Sequence, residues 1–367
     1  MTVLFVTHAA YLDHDPGRGH PERPQRLTAV EAGVVDAGLE GEVVFAPPRE
    51  ATPAEIERVH APAYVAALER FCRAGGGQLD LDTAVAPGSW EAALMAAGAG
   101  LEAADRLRAG DADAAFCAVR PPGHHALPTR AMGFCLFNNV AVTAAALADA
   151  GERVLIVDID AHHGNGTQDM FYDDPRVAYV SFHQNPLWPG TGQLTETGTG
   201  EGRGRNLNVP LPPGATGNLY RRGIEDLVAP LAATLRPTWL IVSAGFDGHR
   251  NDPLTDLGLS AGDFGDIVAD LLELVPPGRR LVFLEGGYDL DALRAGTAAT
   301  MSALVGERVH PERPTAGGPG EEVLLAAARV QRRAFEGDGA TTGGTANGGT
   351  PGEADGDAAG DPAVRAR

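Results

Sequence analysis

The feature that most constrains this sequence is an aliphatic run that ends abruptly in polar residues. Residues 154–157 are four consecutive aliphatic side chains, and Asp158, Asp160, His162 and His163 follow directly. A short run of this kind is typical of a parallel strand that is buried on both faces. Because side chains alternate along a strand, Asp158, Asp160 and His162 are expected to share one face. Open α/β sheets bind ligands at the carboxyl ends of their strands, so this pattern indicates a ligand site.

A simpler interpretation is that the aspartates are helix caps or turn formers and that the histidines are ordinary polar residues. However, two carboxylates near the buried end of an apolar strand are costly unless they are paired or bound to a metal. Two adjacent histidines increase that cost. The sequence therefore favours a ligand site over a simple turn.

Further apolar runs alternate with helical patterns along the chain. Strands are predicted at 43–45, 114–119, 177–182 and 206–211, and in the apolar runs that lead to Asp247 and Tyr288. Helices are predicted at 53–59, 62–72, 89–108, 217–234, 290–303 and 321–335. This alternation predicts an α/β fold with a mainly parallel β-sheet flanked by helices. Residues 1–336 are expected to form one catalytic domain, and the Gly-, Ala- and Asp-rich residues 337–367 a disordered tail.

Composition narrows the class of protein. The chain has 367 residues, of which 44% are hydrophobic and 21% charged, as expected for one large globular domain. No apolar run approaches the length of a membrane helix, and the N-terminus lacks the features of a signal peptide. Cys72, Cys117 and Cys135 are too few and too scattered for a disulfide framework or a zinc ribbon. We therefore expect a cytoplasmic protein without membrane association; an oligomer is compatible with the sequence.

The charge of the chain is strongly negative. The formal net charge of -20 argues against nonspecific nucleic-acid binding, which needs a basic surface. An acidic surface can attract cationic substrates over long range. It can equally serve solubility alone, and both explanations stay open at this point.

Several predicted strands end in residues that can carry out chemistry, and in a parallel sheet these ends lie along one edge. Asp160, His162 and Asp247 offer one imidazole and two carboxylates, a three-ligand set that leaves room for water and substrate, as a catalytic zinc site requires. Such a metal can acidify water and polarise a carbonyl. A neighbouring histidine can transfer protons, and the hydroxyl of Tyr288 can donate to a developing oxyanion. This combination is suited to metal-assisted hydrolysis of an amide or ester.

Six motifs in chain order resemble the zinc-dependent histone deacetylase family, which includes bacterial deacetylases, acetylpolyamine amidohydrolases and acetoin-utilisation proteins. The motifs are Arg120-Pro-Pro-Gly-His-His, Gly133-Phe-Cys, Asp158-x-Asp-x-His-His-Gly-Asn-Gly, Pro189-Gly-Thr-Gly, Ser243-Ala-Gly-Phe-Asp and Glu285-Gly-Gly-Tyr. The resemblance runs from about residue 3 to 305. Asn165 stands where many class I members carry Asp, so the chain is more similar to the class II branch.

The resemblance implies a role for each motif residue. Asp160, His162 and Asp247 would bind Zn²⁺, with Fe²⁺ as an alternative. The catalytic residues would be His125 as general base and then acid, His124 as its electrostatic partner, Asp158 and Asn165 as orienting residues, and Tyr288 as the oxyanion donor. Residues expected to contact the substrate are Gly133, Phe134, Trp188, Gly286 and Asp82. A structural K⁺ would be held by oxygens around Asp158, Asp160, His162 and Ser181.

Several of these assignments have plain structural alternatives. Phe134 could be a core residue rather than a tunnel wall, and Asp82 a solvated loop acid rather than a rim contact. Arg26 matches a basic residue beneath the family's site but could also form an ion pair on a helix surface. His20, His60 and His249 are expected to be structural.

Two other functions compete with that of a single-metal deacylase. Arginase-like ureohydrolases share this fold but use two Mn²⁺ ions; here Gly164 and His249 stand where the second-metal acids would be expected, so a single metal is favoured. A non-catalytic binder of acetylated ligands should have lost a zinc ligand, His125 or Tyr288, and all are present. The substrate remains open between acetyl-lysine in proteins, acetylated polyamines and other short acyl amides.

Overall fold

The computed structural model describes residues 1–39 and 41–336; the predicted tail at 337–367 lies outside the described residues. Residues Met1–Phe335 belong to one compact unit. Its centre is an eight-stranded sheet in which every neighbouring pair is parallel. The order is β2-β1-β5-β10-β9-β6-β7-β8, which confirms the predicted α/β fold with a mainly parallel sheet.

The strands are short and nearly all buried on both faces, because helices cover the sheet. Their bounds are β1 Val3–Val6, β2 Val43–Ala46, β5 Ala114–Cys117, β6 Val154–Asp158, β7 Val177–Gln184, β8 Asn206–Leu211, β9 Trp239–Ala244 and β10 Arg280–Leu284. A separate antiparallel pair, β3 Gly77–Gln78 and β4 Ala84–Val85, was not predicted.

Eleven α-helices are found in the described residues: α1 Gln25–Asp36, α2 Pro53–Ile56, α3 Pro62–Arg73, α4 Ser89–Ala109, α5 Asn139–Asp149, α6 Asn165–Phe171, α7 Gly217–Gly223, α8 Ala229–Leu235, α9 Ala261–Leu272, α10 Leu290–Val305 and α11 Glu321–Glu336. A π-helical turn, Ile224–Val228, joins α7 to α8, so the single helix predicted at 217–234 is interrupted. Helix α2 is shorter than predicted. Among the described helices, none combines the length and apolar character needed to cross a membrane.

The topology brings the chemistry-bearing residues to one edge. β6 lies between β9 and β7, and β10 and β5 follow β9 on the other side. The segments that follow β5, β6, β9 and β10 therefore emerge side by side at the carboxyl edge. They carry the histidine pair, the central aspartates, Asp247 and Tyr288.

Candidate active site

Three potential metal ligands meet just beyond β6 and β9. One ligand atom each from Asp160, His162 and Asp247 lies within 4.8 Å of the others. The Nδ1 atom of His162 is 2.8 Å from Oδ2 of Asp247 and 3.2 Å from Oδ1 of Asp160. Both aspartates are fully buried. The sequence-predicted ligand set is thus assembled in space.

Main-chain donors hold both carboxylates in place. Asp160 accepts hydrogen bonds from the backbone N–H groups of His162 and Gly286, each at 2.8 Å, and Asp247 accepts one from Ala161 at 2.9 Å. Such donors orient carboxylates that ligate a metal. Gly286 contributes here through its backbone, and a Cβ at this position would lie 2.5 Å from Oδ2 of Asp247.

The electrostatics of the cluster fit a divalent cation. Burial and the nearby Asp160 charge raise the pKa of Asp247 to about 7. Burial alone would lower the pKa of His162, but its two carboxylate neighbours raise it to about 10. A bound cation would allow both carboxylates to be ionised and would replace the proton on the imidazole. Two carboxylates and one imidazole are also a recognised ligand type for zinc.

The histidine pair lies in the turn after β5, and each ring has a different partner. His124 Nδ1 is 3.0 Å from Oδ2 of Asp158, whereas His125 Nδ1 is 2.8 Å from Oδ1 of the Asn165 amide. The two rings are 4.0 Å apart between centroids. With Nδ1 of His125 donating to Asn165, the Nε2 atom of His125 carries the lone pair.

The two histidines differ in protonation because of these partners. Burial would lower the pKa of His124, but the charges of Asp158, Asp160 and Glu285 outweigh it and raise the pKa to about 10. Burial, followed by the positive charge of His124, holds the pKa of His125 well below its usual value. At neutral pH, His124 is therefore the charged member of the pair and His125 the neutral one. A neutral imidazole can accept a proton.

A cavity of about 210 Å³ lies at the cluster of Asp160, His162 and Asp247. It is lined by Asp82, His125, Gly133, Phe134, His162, Leu187, Trp188, Leu254 and Tyr288. The Trp188 ring meets that of His125 edge-on at 4.7 Å, and the Phe134 ring meets that of Tyr288 at 5.8 Å. Phe134 and Trp188 thus line the cavity, and neither belongs to the hydrophobic core.

The turn at Gly133 fits tightly against this cavity. Both Gly133 and Phe134 have positive φ angles, 57° and 67°. A Cβ on Gly133 would lie 2.5 Å from the His125 ring and 2.6 Å from the Trp188 ring. Glycine therefore allows the aromatic wall to approach the histidine.

Asp82 lies at the cavity, half-buried, and is held by the same turn. Its Oδ1 accepts hydrogen bonds from the Thr83 hydroxyl at 2.9 Å and from the Gly133 backbone N–H at 3.3 Å. Ser181 is on β7, opposite Asp158 in the register, and its hydroxyl hydrogen-bonds to His183.

Sequence reasoning did not assign three buried acids around the site. Glu285 accepts hydrogen bonds from the backbone N–H groups of Gly123 and His124, and burial raises its pKa to about 7. Glu22 forms ion pairs with Arg26 and Arg120. Asp252 accepts hydrogen bonds from backbone N–H groups near Tyr288. Of these three acids, only Glu285 could have been found from the sequence, because it belongs to one of the six motifs.

Arg26 is buried beneath the site, as the resemblance implies, and this excludes the alternative of an ion pair on a helix surface. It donates to the carbonyl oxygens of Gly287 and Glu285, and its guanidinium lies 5.0 Å from the centre of the Tyr288 ring. Full burial of the charge is tolerated because Glu22 pairs with it.

The histidines near the second-metal positions of a ureohydrolase have other partners. His163 hydrogen-bonds to Thr191 and Gln168, and His249 lies 2.7 Å from a carboxylate oxygen of Glu312. His60 is a buried structural residue that hydrogen-bonds to main-chain atoms of Leu127 and Asn138. His20 packs edge-on against Phe134 and so supports the cavity wall.

Comparisons with known proteins point to one family. The histone deacetylase domain matches residues 20–304. A protein of Archaeoglobus fulgidus named "Probable deacetylase" is 38% identical over 313 residues, 83% of this chain and 87% of that protein. The "Histone deacetylase-like amidohydrolase" of Pseudomonas aeruginosa is 38% identical over 78% of this chain and 77% of its own. A crystal structure of the HDA15 HD domain is similar with a TM-score of 0.83 at 35% identity, covering 90% of this chain and 94% of that one.

Proposed function

Because the chain belongs to the histone deacetylase family, we propose that it is a zinc-dependent deacylase. Its substrate would be the acyl amide, most simply the acetyl amide, of a lysine side chain or a polyamine-type amine. One observation carries the proposal: the cluster of Asp160, His162 and Asp247 lies at the cavity that His125 and Tyr288 also line. Fe²⁺ suits the same ligands and is an alternative to Zn²⁺.

The metal ligands and the histidines divide the chemistry. Asp160, His162 and Asp247 would hold the ion, which when bound polarises the amide carbonyl and acidifies water. His125, neutral and with Nε2 free, would take a proton from the attacking water and later give one to the leaving amine nitrogen. His124 would remain charged beside it, oriented by Asp158, and its charge keeps His125 from binding a proton prematurely.

The cavity walls would position the substrate and stabilise the transition state. Burial raises the pKa of Tyr288 well above its usual value, so its hydroxyl keeps its proton. That hydroxyl can donate a hydrogen bond to the developing oxyanion. Phe134 and Trp188 would enclose the aliphatic part of the acylated amine, and Asp82 would contact the substrate at the rim.

Two further assignments belong to the proposal. A structural K⁺ would bind beside β6, among oxygens of Asp158, Asp160, His162 and Ser181; the pairing of Asp158 with Ser181 supports this. A higher Tm in KCl than in NaCl of equal ionic strength is expected, and equal Tm values would count against the ion.

We place the enzyme in the cytoplasm, with which the three free, buried thiols are consistent.

Two substitutions test the separate roles of the tyrosine and the metal ligand. Tyr288→Phe should lower kcat by about 100- to 1,000-fold, since it removes one oxyanion donor, while the zinc content stays at one ion per chain by elemental analysis. Asp160→Ala should lose the zinc itself. Tyr64→Phe is the matched control, because the Tyr64 hydroxyl donates to the Leu136 carbonyl outside the cavity. Equal loss of zinc and turnover in Tyr288→Phe would contradict the assignment.

The substrate class is tested by steady-state kinetics on a matched acetyl-lysine peptide and acetylspermidine, with a hydroxamate as inhibitor. A large preference in kcat/KM for acetylspermidine would indicate a small-molecule enzyme. A preference for the peptide would indicate a protein deacetylase. Slow, hydroxamate-sensitive turnover of both would indicate another acyl amide. No turnover of a broad acyl-amide panel by zinc-loaded protein would refute the proposed function.

A further inference from the structure

A buried acid lies in the loop that connects the metal-binding strand β9 to helix α9. Asp252 is 6% exposed, five residues after the metal ligand Asp247. Its Oδ2 atom accepts a hydrogen bond from the backbone N–H of Tyr288 at 2.7 Å and a longer one from Asp289 at 3.3 Å. Its Oδ1 atom accepts one from the Leu254 backbone N–H at 3.0 Å. One carboxylate therefore binds three backbone groups.

Two of these three N–H groups belong to residues whose side chains line the cavity. Tyr288 and Leu254 both face the cavity, and they approach it from different loops. Because a carboxylate has two oxygen atoms in a rigid plane, Asp252 fixes the distance between the two backbones. Asp252, which is not itself a lining residue, thus positions both Tyr288 and Leu254.

On the backbone before Tyr288, Arg26 holds the Gly287 carbonyl oxygen at 2.7 Å, and Asp252 holds the N–H of Tyr288. Gly286 and Gly287 precede it, and Gly287 has a φ angle of 117°, which side-chain-bearing residues rarely adopt. Tyr288 and Asp289 stand immediately before helix α10, where backbone N–H groups lack acceptors within the helix. The Asp252 carboxylate supplies an acceptor for both groups.

The other contacts of the Tyr288 side chain act on its ring. Arg26 lies over the ring face, and Phe134 meets the ring edge-on. Such contacts select a ring orientation but leave the main-chain N–H free to shift. A hydrogen bond of 2.7 Å to the main chain limits that shift.

We infer that Asp252 is a positioning residue, which holds Tyr288 where its hydroxyl meets the developing oxyanion. This inference rests on the proposed deacylase function and adds a residue to it. Asp252 would act through Tyr288 without touching the substrate. Since a misplacement of about 1 Å can cost about 100-fold in rate, its loss should be felt in kcat.

A double-mutant cycle with the zinc-loaded, full-length protein tests the inference. Asp252→Asn keeps the shape but cannot accept hydrogen bonds on both sides, so kcat on an acetyl-lysine peptide should fall about 10- to 100-fold. KM should change by less than about threefold. In the Tyr288→Phe background the same substitution should change kcat by less than about twofold, because the hydroxyl is already absent. Asp256→Asn is the matched control: it lies in the same loop, is exposed and interacts with Gln184.

A second readout does not depend on activity. Hydrogen exchange followed by mass spectrometry should show faster exchange of the Tyr288 and Asp289 amides in Asp252→Asn and not in Asp256→Asn. If Asp252→Asn does not fold, Asp252→Glu replaces it, because the longer side chain keeps both oxygens but displaces them.

The outcomes separate this inference from the proposed function. Equal losses of kcat in the wild-type and Tyr288→Phe backgrounds, or unchanged exchange of the Tyr288 amide, would overturn the positioning role while deacylation stands. A wild-type protein that turns over no acyl amide would refute the function. The exchange measurement would then still decide whether Asp252 restrains Tyr288.

Discussion

The partner of His125 is an amide, and this choice affects the charge that His125 carries. Asn165→Asp would place a carboxylate about 2.8 Å from Nδ1 of His125, at the position of the present amide oxygen. A nearby negative charge favours the imidazolium and so raises the pKa of His125. Because the base must be neutral, the acidic limb of the kcat/KM profile should move to higher pH. The profile is measured from pH 5 to pH 9 at constant ionic strength.

The control for this experiment removes a charge from the same helix without touching His125. This control is Asp169→Asn. Asp169 is exposed and lies one turn further along α6 than Asn165. Its acidic limb should coincide with that of the wild-type protein. If the acidic limb of the kcat/KM profile of the Asn165→Asp protein stays in place or moves to lower pH, this would contradict the proposed role of His125 as base.

Individual site residues differed in how far the sequence could predict them. Asp160, His162 and Asp247 were predictable as a cluster, because carboxyl ends of parallel strands share one edge. Their neighbours Glu22 and Asp252 were not, because loops place them and no periodicity fixes a loop. Asp252 meets Tyr288 across 36 residues of sequence. The residues alone left Arg26 open between a surface ion pair and a buried position, because burial of a cation depends on a partner, Glu22, that only the folded loop supplies.

At the scale of elements, the small side chains of α4 allow its neighbours to approach closely. Gly98 and Gly100 are both buried, on different sides of this helix. Gly100 approaches the Phe283 ring of β10, whereas Gly98 approaches main-chain atoms of the segment 49–51. Helical periodicity identifies which face is buried but does not show what covers it. For the same reason the π-helical turn between α7 and α8 left no signal in the apolar pattern.

Gly98→Ala tests this close approach within α4. Alanine is favoured over glycine in a helix by about 1 kcal/mol. The new Cβ, however, would lie 1.8 Å from the Arg49 carbonyl oxygen, a main-chain atom that cannot rotate away. Overpacking typically costs about 1–3 kcal/mol, so we expect a net loss of about 1 kcal/mol or more in the free energy of unfolding, measured with urea. Gly41→Ala, which meets no atom within 4 Å, should be near neutral. If Gly98→Ala is instead more stable than the wild-type protein, the segment at 49–51 must move to make room for the methyl group.

At the scale of the whole molecule, the net charge of the chain is strongly negative. The chain has 49 acidic residues and 29 basic ones. Near the cavity the acid at the rim is Asp82, whereas Asp160, Asp247 and Glu285 are buried. Attraction of a cationic substrate can therefore come from the summed field of the surface or from Asp82 alone. Composition predicts the sign of this effect, but it does not locate its source.

Salt dependence distinguishes the two sources. Two acetyl-lysine peptides that differ only in flanking arginines or glutamates are compared as ionic strength rises from about 0.02 M to 0.5 M, over which the Debye length shortens several-fold. We expect kcat/KM to fall several-fold for the arginine peptide and to rise for the glutamate peptide, because the field of the protein attracts one and repels the other. In Asp82→Asn these slopes should persist at reduced activity, since one of many charges is removed. Slopes that vanish in Asp82→Asn would assign the attraction to the rim acid. Identical slopes for the two peptides in the wild-type protein would leave the acidic surface with no part in substrate selection.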